Sequence, residues 1–360
     1  MLIADGHLDL SMNALQWNRD LLSSVYTIRA QEAHTPGKGR GQNTVALPEM
    51  RRGRIALSFA TLIARSTGQP APHLDFATQV QAYGIARGQL AYYQALERSG
   101  TIRIIRDTAH LDGLLDEWTA RDVRHEDPEG PTPPLGFVIG MEGADPILDP
   151  GQLEVWWDEG LRLVGLTHYG GGRYAGGTGT EAGLTGHAGP LLREMARLGV
   201  ILDLSHCSDR AFWEALAQFP GRVIASHTNC RALVPHQRQF SDDQIRAIVE
   251  RDGRIGVAMD CWMIAPGWRH GESTEGIRLA DVVTHIDHIC QLAGDCRHVA
   301  IGSDLDGGFG REGSPHDLDT IADLQKLASI LEGRGYRPDD AAAVMHGNWV
   351  ALLRSAWAGR

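Results

Sequence analysis

Eight short apolar runs recur along this chain of 360 residues, and each stops abruptly at polar residues. In order they read "LIADGHLD", "RIALSFATL", "GFVIGMEG", "LRLVGLTH", "VILDLSH", "RVIASH", "RIGVAMD" and "HVAIGSD". Brief runs rich in Val and Ile, bounded by Gly or charge, predict β-strands buried on both faces. Helical patterns separate the later ones: "PLLREMARLG", "DRAFWEALAQF", "SDDQIRAIVERDG" and "LADVVTHIDHICQLAG". Strands that alternate with helices form parallel sheets, because the helix returns the chain to the edge from which the next strand starts. Eight such units over this length predict a (β/α)8 barrel of the TIM type, a single domain over residues 1–360. The second connection, from about residue 65 to 134, carries extra helices (roughly 74–99 and 107–121) and the Pro-rich loop "RHEDPEGPTPP", and a C-terminal helix, "PDDAAAVMHGNWVALLRSAW", closes the chain.

An α/β barrel builds its active site from the C-terminal ends of its strands, so the polar residues that stop each run are the candidate chemistry. In "DGHLD", His7 and Asp9 are two apart and face the same side of an extended chain. The third predicted strand ends at Glu142, the fourth at His168, the fifth at His206, the sixth at His227 and the eighth at Asp304. A carboxylate in so apolar a setting is costly unless it is paired or binds metal. Imidazole and carboxylate donors together suit zinc, and a cluster of this size suits two ions. The expected allocation is His7, Asp9 and Glu142 to the first ion and Glu142, His206 and His227 to the second, with Glu142 as the bridge. A single ion would leave several buried polar groups without partners. The two lysines, Lys38 in "TPGKGRG" and Lys326 on a late helix, lie off the predicted barrel strands, so no carboxylated lysine is expected to bridge the metals.

Composition narrows the class further. A formal net charge of -11 and a pI near 5.8, without clustered Lys and Arg, exclude a surface built to neutralise nucleic-acid phosphates. The five cysteines, Cys207, Cys230, Cys261, Cys290 and Cys296, are odd in number and lack C-x-x-C spacing, which argues for free thiols rather than disulfides or a thiolate zinc site. The start "MLIADGHLDL" has no basic region before an apolar stretch, and no run reaches the ~18 apolar residues of a membrane span. A cytoplasmic protein is expected. His285 and His288, three apart in "THIDHIC", read as packing and capping residues of a helix. The glycine run over 170–179 lacks the G-K-[ST] ending of a phosphate-binding loop and reads as a mobile loop over the mouth, while Trp262 is placed to line the pocket.

Taken together, "GHLD", "GMEG", "LRLVGLTH", "GLTGHAGPLLREMARLGVILDLSH", "VIASHTNCRALVPHQRQFSDDQI", "HIDHICQLAG", "IGSDLDG" and "GNWVALL" resemble the membrane dipeptidase (renal dipeptidase) family of binuclear zinc metallopeptidases. The resemblance spans nearly the whole chain in order and is densest from 161 to 246. It implies a (β/α)8 barrel with zinc ligands His7, Asp9, Glu142, His206 and His227. It further implies a substrate-binding histidine at His168, a carboxylate-binding arginine at Arg238, a catalytic aspartate at Asp304, and a homodimer. The chain departs from the family pattern in "HLDLSMN", in "THYGGGRYAGGTGTEAG" and in "MDCWMIAPGW", loops that would face the substrate.

The implied activity is hydrolysis of dipeptides, including those with a C-terminal D-residue, by a hydroxide bridging the two metals. His168 would support the oxyanion, Asp304 would carry the proton to the leaving amine, and Arg238, or failing it Arg231, would grip the free carboxylate. Two readings compete: a binuclear amidohydrolase for N-acyl amino acids, lactones or β-lactam-like amides, and a metal-retaining binding protein without catalysis.

Overall fold

The computed structural model describes residues 1–71, 73–123 and 133–358, with side chains 121–123 left out. Nine strands form one parallel sheet: β1 (Ile3–Leu8), β2 (Ile55–Ile63), β3 (Ile102–Ile104), β4 (Leu135–Glu142), β5 (Leu161–Gly165), β6 (Ile201–Asp203), β7 (Val223–Ala225), β8 (Arg254–Val257) and β9 (Val299–Ile301). Pairing of β2 with β4, from Leu57 opposite Gly136 to Ile63 opposite Glu142, closes eight of them into a barrel. Helices occupy the crossovers, giving the (β/α)8 fold expected from the alternation of runs. Nearly every strand residue is buried, as expected of parallel strands sandwiched between a packed interior and a ring of helices.

The barrel strands β6, β7 and β9 span only three residues each, and their polar residues lie on the bends just beyond the last hydrogen-bonded rung. His168, His206, His227 and Asp304 are therefore loop-mouth residues rather than strand residues. The interior is packed tightly enough to dictate glycine: a Cβ on Gly256 or Gly302 would fall 2.0 or 1.9 Å from the Ser226 carbonyl oxygen. Trp349, fully buried, donates its indole N–H to Ile301 O at 2.7 Å and fastens the C-terminal helix to β9.

Three features differ from the sequence expectations. The segment between the two extra helices, Gln79–Arg98 and Thr108–Val123, forms β3, which pairs with the first half of β4 outside the barrel. Three residues are too few to show a period, so this strand is invisible to pattern reading. The terminal helix is three pieces, Pro338–Ala342, a π-helical turn Ala343–Gly347 and Asn348–Trp357. The glycine run is hydrogen-bonded structure rather than a free flap. Bridges join Tyr169 to Thr178, Gly171 to Gly176 and Gly177 to Cys207, and Ala175 through Thr178 are buried. Most of the Pro-rich loop lies outside the described residues. No helix among the described residues is long and apolar enough to cross a membrane, and all five cysteines are free.

Candidate active site

Barrel closure brings His7, Asp9, Glu142, His168, His206, His227 and Asp304 together at the C-terminal mouth. Glu142, at the last position of β4, is the hub. Its Oε2 lies 3.5 Å from His7 Nε2, and its Oε1 lies 3.0 Å from His206 Nε2 and 3.4 Å from His227 Nε2. His7 Nε2 is also 3.7 Å from Asp9 Oδ1 and 3.9 Å from Asp304 Oδ1. All of these side chains but His168 and Asp304, which are partly exposed, are buried. Together with Arg238, most of them line a cavity of about 350 Å³, within the ~300–1,000 Å³ usual for small-molecule sites.

Hydrogen bonds at the far ring nitrogens aim the imidazoles. Asp203, the last residue of β6, accepts the Ser226 hydroxyl at Oδ2 and, at Oδ1, the Ser205 hydroxyl at 2.6 Å and the Ser226 N–H at 3.0 Å. With its proton committed to Asp203, Ser226 Oγ serves as acceptor for His227 Nδ1 at 2.8 Å and faces His7 Nδ1 at 3.3 Å. Thr178, from the glycine-rich segment, places its Oγ1 3.1 Å from His206 Nδ1. Hydrogen bonds at Nδ1 turn all three Nε2 atoms toward Glu142, the arrangement a metal ligand needs. The Ser-His pairs that end β6 and β7 thus act as one unit: Ser205 and Ser226 hold Asp203, and Ser226 orients the rings. Asp9 is fixed by the Thr61 hydroxyl of β2.

The electrostatics of the bare cluster are unfavourable, and a cation would relieve them. Burial opposes protonation of His7, yet Glu142, Asp9 and Asp304 outweigh it and raise the ring to about 10. Burial and the charge of Glu142 push Asp9 up to about 6, and Asp304 is driven upward by burial and by the same carboxylates. His206 and His227 are held well below their ordinary value by burial first, with Arg238 adding to it. They therefore face each other as neutral rings, Nε2 to Nε2 at 3.0 Å, and His7 Nε2 has no hydrogen-bond partner among the described residues. The His7 Nε2 without a partner and the two neutral Nε2 atoms, beside the carboxylates of Glu142, Asp9 and Asp304, are the donor set of a cation site, in which a cation would take the place of the His7 proton. His7, Glu142 and His227 form one such group, and His7, Asp9 and Asp304 another.

His168 also approaches Glu142 and His206 closely enough to be grouped with them as a ligand, but its hydrogen bonding argues otherwise. Arg65 Nη1 sits 2.9 Å from His168 Nδ1, and a guanidinium can only donate. Nδ1 is therefore the acceptor, and the proton resides on Nε2, which faces the cavity 3.8 Å from Glu142 Oε1. Burial, with Arg65 and Arg238 adding to it, holds the ring down to about 4, so it is a neutral donor. Arg65 is itself clamped by Asp75 at 2.9 Å.

Arg238 is buried behind the cluster, donating to Ser205 O at 2.9 Å and His227 O at 2.8 Å while still reaching the cavity wall. Arg231 points elsewhere, forming a two-pronged pair with Asp209 at 2.9 and 2.6 Å. Trp262 lines the cavity. His285 accepts from Cys230 N at 3.1 Å and packs against Ile264, and His288 pairs with Asp242 at 2.8 Å, both away from the mouth. Sequence reasoning missed Arg65, Thr178, Asp203, Lys38, Asp260 and His270. Arg65 and Asp260 carried a usable signal, since they stop the second and seventh apolar runs just as the other strand-end residues stop theirs.

A (β/α)8 barrel whose mouth gathers histidines and carboxylates in this way defines a metal-dependent hydrolase. The model of the membrane dipeptidase family, peptidase family M19, matches residues 1–358, and the chain belongs to that family. The dipeptidase aclJ of Aspergillus oryzae is 27% identical over 360 residues, 98% of this chain and 77% of the relative. A metallopeptidase from Rhodobacter sphaeroides, solved with a phosphinate mimic of the dipeptide L-Ala-D-Ala, shares the fold at TM-score 0.77 and 24% identity over 99% of each chain. The probable dipeptidase PvdM from Pseudomonas aeruginosa shares it at TM-score 0.76 and 17% identity, over 99% of this chain and 96% of that one. The protein is a dipeptidase of the metallopeptidase type.

Proposed function

We propose that the cluster holds two zinc ions, one between His7, Asp9 and Glu142 and the other between Glu142, His206 and His227, and that the enzyme hydrolyses dipeptides with either an L- or a D-residue at the C-terminus. The observation that carries the reading is the split of Glu142: one carboxylate oxygen faces His7, and the other faces His206 and His227. Imidazole and carboxylate donors favour zinc over the hard cations. When bound, such ions polarise the scissile carbonyl and bring the pKa of a coordinated water toward neutrality.

The chain's own residues supply the rest. His168, neutral and with its proton on Nε2, donates to the carbonyl oxygen as negative charge gathers there. Asp304 takes a proton from the attacking water and hands it to the leaving amine as the C–N bond breaks and the C–O bond forms. Arg238 holds the substrate's free carboxylate, which limits productive binding to short peptides. We further propose that one domain carries the whole activity and that it works in the cytoplasm, where free thiols persist.

The direct test is hydrolysis of an L,L and L,D dipeptide library by the zinc-loaded protein alongside N-acyl amino acids. Dipeptides should be cleaved faster, and a preference for the N-acyl compounds would replace this reading with a different amidohydrolase. Arg238→Met should raise KM for dipeptides by roughly 10- to 100-fold, the loss expected when a charge-assisted pair is removed. An unchanged KM would move the anchor to Arg65, the other cavity-lining arginine of the inner wall.

A further inference from the structure

Two cavities meet at the metal cluster, and their walls differ in chemistry. The larger holds Lys38, Arg238, Asp260, Trp262 and His270, while a second of about 210 Å³ is walled by Met12, Trp17 and Ile63. Asp9, Leu74, His168, Gly307 and Gly308 line both, so the two are lobes opening from one reaction centre. Arg238 belongs to the polar lobe only. A dipeptide whose carboxylate lies on Arg238 therefore keeps its C-terminal residue in that lobe. Its scissile bond sits at the shared wall, and its N-terminal side chain is sent toward Met12, Trp17 and Ile63.

Asp260 marks the chemistry of the polar lobe. It is 5% exposed, opens into the cavity, and is met by Trp262, through a long bond of 3.4 Å from Trp262 N to Oδ1 and by the side chain of the same residue. Its Oδ2 lies 3.6 Å from His270 Nε2, but that nitrogen also faces Lys38 Nζ at 3.2 Å. An ammonium only donates, so His270 Nε2 is its acceptor and has no proton to offer Asp260. Burial pushes Asp260 up to about 7, and it holds His270 down to about 4 with Lys38 adding to it. A buried carboxylate whose donors all come from one neighbouring residue is costly and keeps room to accept a further N–H brought to it from the cavity. The ammonium of Lys38 beyond His270 disfavours a second cation, which leaves an amide as the best-suited donor.

We propose that the two lobes sort the side chains of the dipeptide, the apolar lobe of Met12, Trp17, Ile63 and Leu74 taking an aliphatic N-terminal residue and Asp260 accepting a hydrogen bond from a C-terminal residue that ends in an amide. The assignment rests on the dipeptidase reading above and on Arg238 as the carboxylate anchor. It predicts a strong asymmetry between two substrates of identical composition.

Initial rates with Leu-Gln, Gln-Leu and Leu-Ala test it on the zinc-loaded enzyme. Leu-Gln should exceed Gln-Leu in kcat/KM by about 10-fold or more, and Leu-Ala by about 10-fold, the scale on which single pocket contacts discriminate. Asp260→Ser keeps a hydroxyl for the Trp262 N–H yet is too short to reach the substrate, and it should bring the Leu-Gln to Leu-Ala ratio close to one. Equal rates for the reversed pair, or a ratio unmoved by Asp260→Ser, would overturn the assignment while leaving dipeptidase activity standing. Failure to cleave all three would overturn both readings.

Discussion

Glu142→Gln is expected to lose most of the bound metal and to bring dipeptide turnover to background. Among the described residues no other side chain has one oxygen toward His7 and the other toward both His206 and His227, so a single substitution removes an anionic donor from both halves of the cluster at once. Glutamine keeps the volume at the end of β4, but its amide would turn an N–H₂ group toward one of the cations. Substitutions that merely support a ligand typically cost 10–100-fold in metal affinity, and replacing a shared ligand should cost more than about 100-fold. Equilibrium dialysis followed by metal analysis reads this directly, without relying on activity. A variant that still retains two zinc ions per chain at wild-type affinity would remove Glu142 from the bridge.

Asp304→Asn is expected to behave in the opposite way, keeping its metal while kcat falls by about 10²–10⁴, the range associated with a positioned acid or base. The backbone at Asp304 is left-handed, with φ of 57°, a conformation that Asn tolerates about as well as Asp. Its N–H bonds to His7 O at 3.2 Å, a contact that Asn also preserves. Gly307 packs so closely beneath the carboxylate that a Cβ there would fall 1.9 Å from Oδ1, so the side chain has one place to stand. Loss of rate in a correctly folded variant would therefore report the missing proton carrier. Retention of near-wild-type turnover would exclude Asp304 from the chemistry. Loss of metal together with rate would make it a ligand beside His7 and Asp9, a grouping their mutual proximity also permits.

The contrast between these variants follows from where each residue stands. Glu142 is on a barrel strand, held by seven consecutive pairs of β2 with β4. Asp304 lies beyond β9, on a bend whose side chain is the more exposed of the two, at 15% against 7%. A ligand benefits from rigid framing. A group that must take up and deliver a proton needs contact with the cavity.

Much of this site was legible from the chain alone because its information is local. Apolar runs of four to eight residues that stop at His, Asp or Glu announce strand and strand end together, and His7, Asp9, Glu142, His168, His206, His227 and Asp304 all lie where those runs stop. The alternation with helices then implies one closed barrel, which places every such stop on one face. Tertiary structure alone decided which nitrogen each ring presents and what stands behind it. Asp203 reads as another strand residue until β6 and β7 pair and bring Ser205 and Ser226 to its two oxygens. Thr178 belongs to a glycine-rich stretch with no period, and only its bridge to Tyr169 carries it to His206. Lys38 and His270 are 232 residues apart and meet at the rim of the cavity. Residue type and spacing are properties of neighbours in the chain, whereas hydrogen-bond direction depends on groups that only closure of the barrel brings within reach.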